Sequence, residues 1–245
     1  MIEILERPVI PRKVELYPPP LADSVLYFPG YPPKSSTIED RHGGTAHDGT
    51  ITGASWKRLP SGLWYLDFDG TDDKITVAHH ADFNFAEDDT FSLIAWIRTE
   101  DKSGAIISKG MVSPAYRGYE LHVDASGYPR VNLNSTYATD RLEIYVATAI
   151  NDGVWHLVGF TYNASPAAAS CAFYVDGVSK TVVQATDTLD AGEDITVATA
   201  LCFGDRSAGG YVLDFDLALP DICDAVLDST EMTFIYQWQR KWFGV

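Results

Sequence analysis

Hydrophobic and polar positions alternate most plainly from Thr90 to Arg98, TFSLIAWIR. Phe91, Leu93, Ala95 and Ile97 fall on one side of a period-two pattern; Ser92, Ile94, Trp96 and Arg98 fall on the other. Apolar residues on both sides predict a strand covered on each face. Upstream, a short strand from Trp64 runs into Asp69-Gly70, a second strand leaves that turn, and an acidic loop leads to Thr90. Downstream, a strand over 105–110 ends at a glycine, and 119–123 with 129–133 reads as a hairpin across Asp124-Ala125-Ser126-Gly127. Further strands follow over 142–148, 154–162, 201–204 and 211–219. A hairpin turns at Asp176-Gly177, a pair suited to the positive φ angles of a type I′ turn.

The period changes only at the end of the chain. Asp228 fits a helix N-cap and Glu231 the N3 position of a capping box, opening a helix over about 229–243. Met232, Ile235 and Tyr236 form one stripe on it. Phe234, Trp238 and Trp242 form a second, rotated about 160 to 200° from the first. One face can lie on the strands; the other needs a second cover, since three large aromatics in water make a patch of the kind that marks interaction sites.

The order Phe68-Asp69-Gly70-x-Asp72-Asp73, acidic loop, Phe91-Ser92-Leu93-x-Ala95-Trp96 resembles the laminin-G-like, concanavalin A-like jelly-roll family. The resemblance extends in register to Asp40, Gly43-Gly44 and Gly49-Thr50-Ile51-Thr52-Gly53 before it, and to Asp152-Gly153-Val154-Trp155-His156 and Tyr174-Val175-Asp176-Gly177 after it. It covers about residues 24–236. It implies one all-β domain (23–245), an antiparallel two-sheet sandwich of a dozen or more strands with a short C-terminal helix. At the closing strand the family writes G-x-I-D-E-V, whereas this chain has Leu217-Ala218-Leu219-Pro220, so the acids are missing from that register.

Residues 1–22 carry Pro8, Pro11 and Pro18-Pro19-Pro20, which deny them helix and central strand and predict an extended arm. Two readings stand: a surface-laid terminus, or an arm that docks on a neighbour through Ile2, Ile4, Leu5, Val9, Ile10, Val14, Leu16 and Tyr17. The start, MIEILERPVIPRK, lacks the apolar core of an export signal, and no apolar run approaches the ~18 residues of a membrane span.

A formal net charge of −16 argues against nucleic acid or an anionic membrane surface as partner. Of the 34 acids, 24 are Asp and 10 are Glu, which suits turns and loop ends. Three widely spaced cysteines, Cys171, Cys202 and Cys223, fit neither a zinc pattern nor a disulfide framework and read as buried thiols.

Candidate chemistry is sparse. The paired carboxylates of the fold's endoglucanase branch, E-x-D-x-x-E, do not occur, and Glu120 and Asp124 have the wrong spacing, so the expectation is no enzyme. Asn134 and Asn163 stand in glycosylation sequons that read as coincidence. Asp40, His42, His47 and Asp48 lie within nine residues of one another, and two histidines can hold a metal. The resemblance instead implies calcium, held by Asp40 and Asp69 at matching positions with Asp216 standing in for the absent acids; the alternative is that Asp40 and Asp69 cap turns. His79, His80 and His156 read as ordinary surface and strand residues. Tyr116, Tyr128, Tyr137 and Tyr145 lie where they can line a concave, sugar-stacking face.

The resulting expectation is a non-catalytic recognition or structural module. It would serve as a subunit or surface component (decoration, tail or adhesin type) of a larger assembly such as a virion, or alternatively bind a glycan alone. Phe234, Trp238 and Trp242 are its expected interface, with homo-oligomerisation or docking through the helix and the arm.

Overall fold

β-branched and aromatic residues at alternating positions pair into two antiparallel sheets stacked face to face. The computed structural model describes residues 19–30 and 36–245. Most of the expected N-terminal arm, residues 1–18, lies outside the described residues.

The strands begin with β1 (Ser24–Tyr27), β2 (Thr37–Ile38), β3 (Gly49–Thr52), β4 (Ser55–Arg58), β5 (Trp64–Asp69) and β6 (Lys74–Val77). Then come β7 (Thr90–Arg98), β8 (Gly104–Val112), β9 (Arg117–Val123), β10 (Pro129–Thr136), β11 (Asp140–Tyr145) and β12 (His156–Asn163). β13 (Cys171–Val175), β14 (Val178–Lys180), β15 (Val183–Asp187), β16 (Leu201–Phe203) and β17 (Asp214–Cys223) precede the helix α1 (Ser229–Phe243). One sheet runs β14-β13-β12-β7-β17-β5-β4, with β1 also paired to β17; the other runs β15-β11-β10-β9-β8-β16-β6-β3-β2.

β7 occupies the residues its alternation predicts. Phe91, Leu93, Ala95 and Ile97 join the core between the sheets. Ile94 and Trp96 point outward into a second apolar cluster, closed by Met232, Ile235 and Phe243 of α1. The helix starts at a complete capping box on Asp228 and ends at Gly244 in the left-handed conformation. It lies so close to the sheet that a Cβ at Gly159 would come within 2.9 Å of the Met232 sulfur. A larger residue there would push aside the flexible end of the Met232 side chain.

The closing strand, expected to begin within 211–219, runs over Asp214–Cys223. Its register shifts between Ala218 and Asp221, with Leu219 at φ 48, and pairing resumes beyond this bulge. Asp221 is thereby carried inside. Burial pushes its carboxyl up to about 7, against the opposing hydrogen bond from the Ser24 hydroxyl at 2.6 Å. Cys202 and Cys223 are buried, Cys171 is half-buried, and all three are free.

Candidate functional site

The outer face of the nine-stranded sheet carries polar side chains that are nevertheless buried. Tyr119, Leu121 and Val123 of β9 and Val131 and Leu133 of β10 face the core. The alternate positions, Glu120, His122, Arg130, Asn132 and Asn134, therefore point outward. Register aligns them in rows: Ser108 opposite Glu120, Glu120 opposite Asn132, and Asn132 opposite Glu143. Such a face normally meets solvent, yet Glu120 and Asn134 are 0% and 1% exposed.

The segment between β16 and β17 covers them. Arg206 binds both oxygens of Glu120 at 2.7 Å each, a bidentate charge-assisted pair. Tyr211 sits 4.1 Å from the Arg206 guanidinium and edge-on to His122. Burial disfavours the Arg206 charge, but the bond to Glu120 prevails and raises its pKa; burial lowers that of His122 and raises that of Tyr211. Bulges at Gly110/Val112 on β8 and Asn134/Thr136 on β10 re-aim the strand ends bordering this region.

Together these elements enclose a cleft of about 380 Å³. Its floor is polar, and three of its atoms lack partners. Oδ1 of Asn132, Oδ1 of Asn134 and Nδ1 of His122 are buried without a hydrogen bond from the described residues. Nδ1 of His122 lies 3.4 Å from Glu120 but outside bonding geometry. An orphaned buried polar group costs about 1–3 kcal/mol, so three gathered at one cleft, each with almost no accessible surface, are unmet hydrogen-bonding capacity that a ligand reaches once neighbouring side chains move aside. The ions, by contrast, are all paired. Arg130 reaches Glu143 at 2.5 Å and Asp124 at 3.0 Å, and Arg206 is held by Glu120.

Of the four expected tyrosines, Tyr116 and Tyr137 line the cleft, their rings 5.4 Å apart. Tyr128 and Tyr145 stack on each other at 6.1 Å beside it, with Arg130 over Tyr145 at 4.7 Å. Asn134, buried on the floor, is no glycosylation site.

Asp40, Asp69 and Asp216, the expected calcium set, each have partners of their own rather than one another. Asp40 turns into its own loop, where its two oxygens accept from the amides of Tyr27, His42 and His47 and from the His42 ring. Asp69 caps Thr71 and groups with Asp72 and Asp73. Asp216 pairs with Arg98 at 2.5 Å. Burial pushes the Asp216 carboxyl up to about 6 despite that arginine. Asp69 and Asp216 do share a separate, wider groove of about 680 Å³ with Asp67, Asp101 and Asp214.

A family profile described as concanavalin A-like lectin/glucanases superfamily matches residues 69–232, two-thirds of the chain and all of β7 to β17. The chain belongs to that superfamily. Solved structures share this superfamily architecture at low identity. The binding domain of Paraclostridial mosquitocidal protein 1 is 15% identical with a TM-score of 0.65, the match covering 87% of this chain and 52% of that one. The ligand-binding domain of botulinum neurotoxin serotype D, solved with N-acetylneuraminic acid, is 14% identical with a TM-score of 0.61, covering 89% and 51%. The binding domain of botulinum neurotoxin DC, solved with rat synaptotagmin II, is 15% identical with a TM-score of 0.62, covering 88% and 51%. The chain thus spans about half the length of the domains it resembles, and at these identities the likeness is one of fold. These neighbours are described as binding domains. No curated protein matches the chain in sequence.

Proposed function

We propose that this chain is a non-catalytic recognition module that holds a neutral sugar in the cleft of the nine-stranded sheet. The supporting observation is unmet polar capacity in the floor: one atom each of Asn132, Asn134 and His122 is buried without a partner, and ligand hydroxyls would reach them as the rim side chains shift. Tyr116 and Tyr137 supply ring faces for the apolar side of a sugar at the rim. Charge pairing selects against an ionised ligand, because Arg130 and Arg206 are already neutralised by Asp124, Glu143 and Glu120. A carboxylate sugar would have to break one of these pairs. Catalysis is disfavoured for the same reason, since Glu120 is fixed bidentately by Arg206 beneath the cleft and is not placed to donate a proton.

A glycan array tests the reading. Neutral oligosaccharides should bind and sialylated ones should not, and Asn132→Ala should weaken binding roughly tenfold, the worth of one or two hydrogen bonds. Binding confined to sialylated glycans, or unchanged in Asn132→Ala, contradicts it.

One further observation favours a protein contact as well. Phe234 is 64% exposed and heads the ladder Phe234–Trp238–Trp242, with ring centroids 6.2 and 5.8 Å apart. Trp238 and Trp242 are half-buried, and Trp242 packs at the edge of the second core cluster, so Phe234 is the free end. In this reading the chain self-associates or docks into a larger assembly, such as a virion, through α1. Phe234→Ser should then lower the particle mass in light scattering without unfolding the sandwich; a wild-type monomer at high concentration contradicts it.

A further inference from the structure

Three residues that meet at one edge of the nine-stranded sheet form a cluster unlike the acid-rich turns elsewhere. β3 and β6 pair antiparallel, Gly49 opposite Val77, so the chain entering β3 and the chain leaving β6 emerge side by side. That brings His47, just before β3, against His80 and Asp82, just after β6. His80 caps the short 3-10 turn Ala81–Phe83, and Asp82 is its second residue.

The donor atoms converge. His47 Nε2 lies 2.9 Å from Asp82 Oδ2, His80 Nδ1 accepts from the Asp82 amide at 3.3 Å and lies 3.1 Å from Asp82 Oδ1, and the two imidazole centroids are 4.3 Å apart. One ligand atom from each of the three fits within a 4.8 Å span. A tetrahedral ion with bonds of about 2.0–2.1 Å sets its donors a little over 3 Å apart, so modest side-chain rotation would close the cluster around one.

The support behind the cluster is built in. His47 is 7% exposed, its amide is held at 2.9 Å by buried Asp40, and His42 stacks parallel to its ring at 5.6 Å. Phe83 meets the same ring edge-on at 5.2 Å. The His80 and Asp82 side chains are 42% and 36% exposed, leaving a way in and room for water or another ligand.

We infer that His47, His80 and Asp82 form a site for a divalent transition ion of the zinc type, with at least one coordination position open. Two imidazole nitrogens and one carboxylate suit zinc and its neighbours and offer calcium too few oxygens. A bound ion would clamp the glycine-rich loop at 40–48 to the 3-10 turn, adding to the His47–Asp82 hydrogen bond and the His47–Phe83 ring contact. The site is independent of the sugar cleft.

The test is calorimetric titration of the chelator-treated full chain with zinc chloride, alongside calcium chloride. Zinc should bind one per chain and raise the melting temperature. Cobalt(II) in its place should give visible d–d absorption. His80→Ala and Asp82→Asn, both at exposed positions, should each weaken zinc binding at least about tenfold, the lower range for perturbing a metal's surroundings. His156→Gln is the control, since His156 also touches two carboxylates, Asp152 and Asp176. It should bind zinc like wild type. Absence of zinc binding overturns the site, as does equal binding by wild type and His80→Ala, or loss confined to His156→Gln.

Discussion

Trp96→Ala is expected to cost about 3–5 kcal/mol, the range for deleting a large buried aromatic. The indole is fully buried between the eight-stranded sheet and α1. It stacks on Phe243 at 4.0 Å and near Tyr236 at 5.7 Å, and its Nε1 donates to Gln239 Oε1 at 2.6 Å. Truncation therefore opens a cavity and also strands the amide oxygen of Gln239, which is only 6% exposed. In a domain of this size each kcal/mol moves the melting point by roughly 2–4 °C, so a drop on the order of 10 °C is expected. Trp96→Phe keeps most of the stacking and should lose less, about the 1–3 kcal/mol of an unsatisfied acceptor plus a smaller cavity. Urea unfolding of both variants measures this. A loss below about 1 kcal/mol for Trp96→Ala would mean that α1 does not rest on this residue.

Arg206→Met should be as severe for a different reason. Glu120 has no exposed surface, and both its oxygens are bound by that guanidinium. Removing one partner of a buried pair leaves an uncompensated charge, at a cost of about 3–5 kcal/mol, whereas replacing both by apolar groups is often near neutral. Glu120→Met combined with Arg206→Met should therefore recover most of the stability lost by Arg206→Met alone. The double variant should nonetheless bind sugar poorly, since Arg206 and its stacked Tyr211 wall the cleft. Additive losses in the double variant would show that the pair is not coupled as the geometry requires.

The sequence disclosed the scaffold because scaffold signals are local. The alternation from Thr90 to Arg98, the capping box at Asp228 and the Asp176-Gly177 turn, with φ of 57° and 72°, each follow from neighbours a few positions away. The cleft did not announce itself in this way. Glu120, His122, Arg130, Asn132 and Asn134 do alternate with apolar residues, but that pattern alone describes a solvated sheet face. Glu120 is closed off by Arg206, 86 positions away in sequence, on a segment with no periodic signal. Tyr116 and Tyr137 were legible as candidate rim residues, while Tyr128 and Tyr145 turned to each other. Asp40 illustrates the converse case. Its place in the family pattern suggests a metal, but a carboxylate that accepts from the backbone amides of Tyr27, His42 and His47 is already well served by them. His80 reads as a surface residue in the sequence because only the β3–β6 pairing brings it to His47.

The most direct measurement of the central claim is a crystal structure of the chain with a neutral oligosaccharide selected on the array. The account predicts a sugar ring against Tyr116 and Tyr137, with hydroxyls about 2.7–3.2 Å from Asn132 Oδ1, Asn134 Oδ1 or His122 Nδ1 and the Arg206–Glu120 pair intact. A sugar seated instead in the acidic groove of Asp67, Asp214 and Asp216, or on the exposed face of α1, would contradict it.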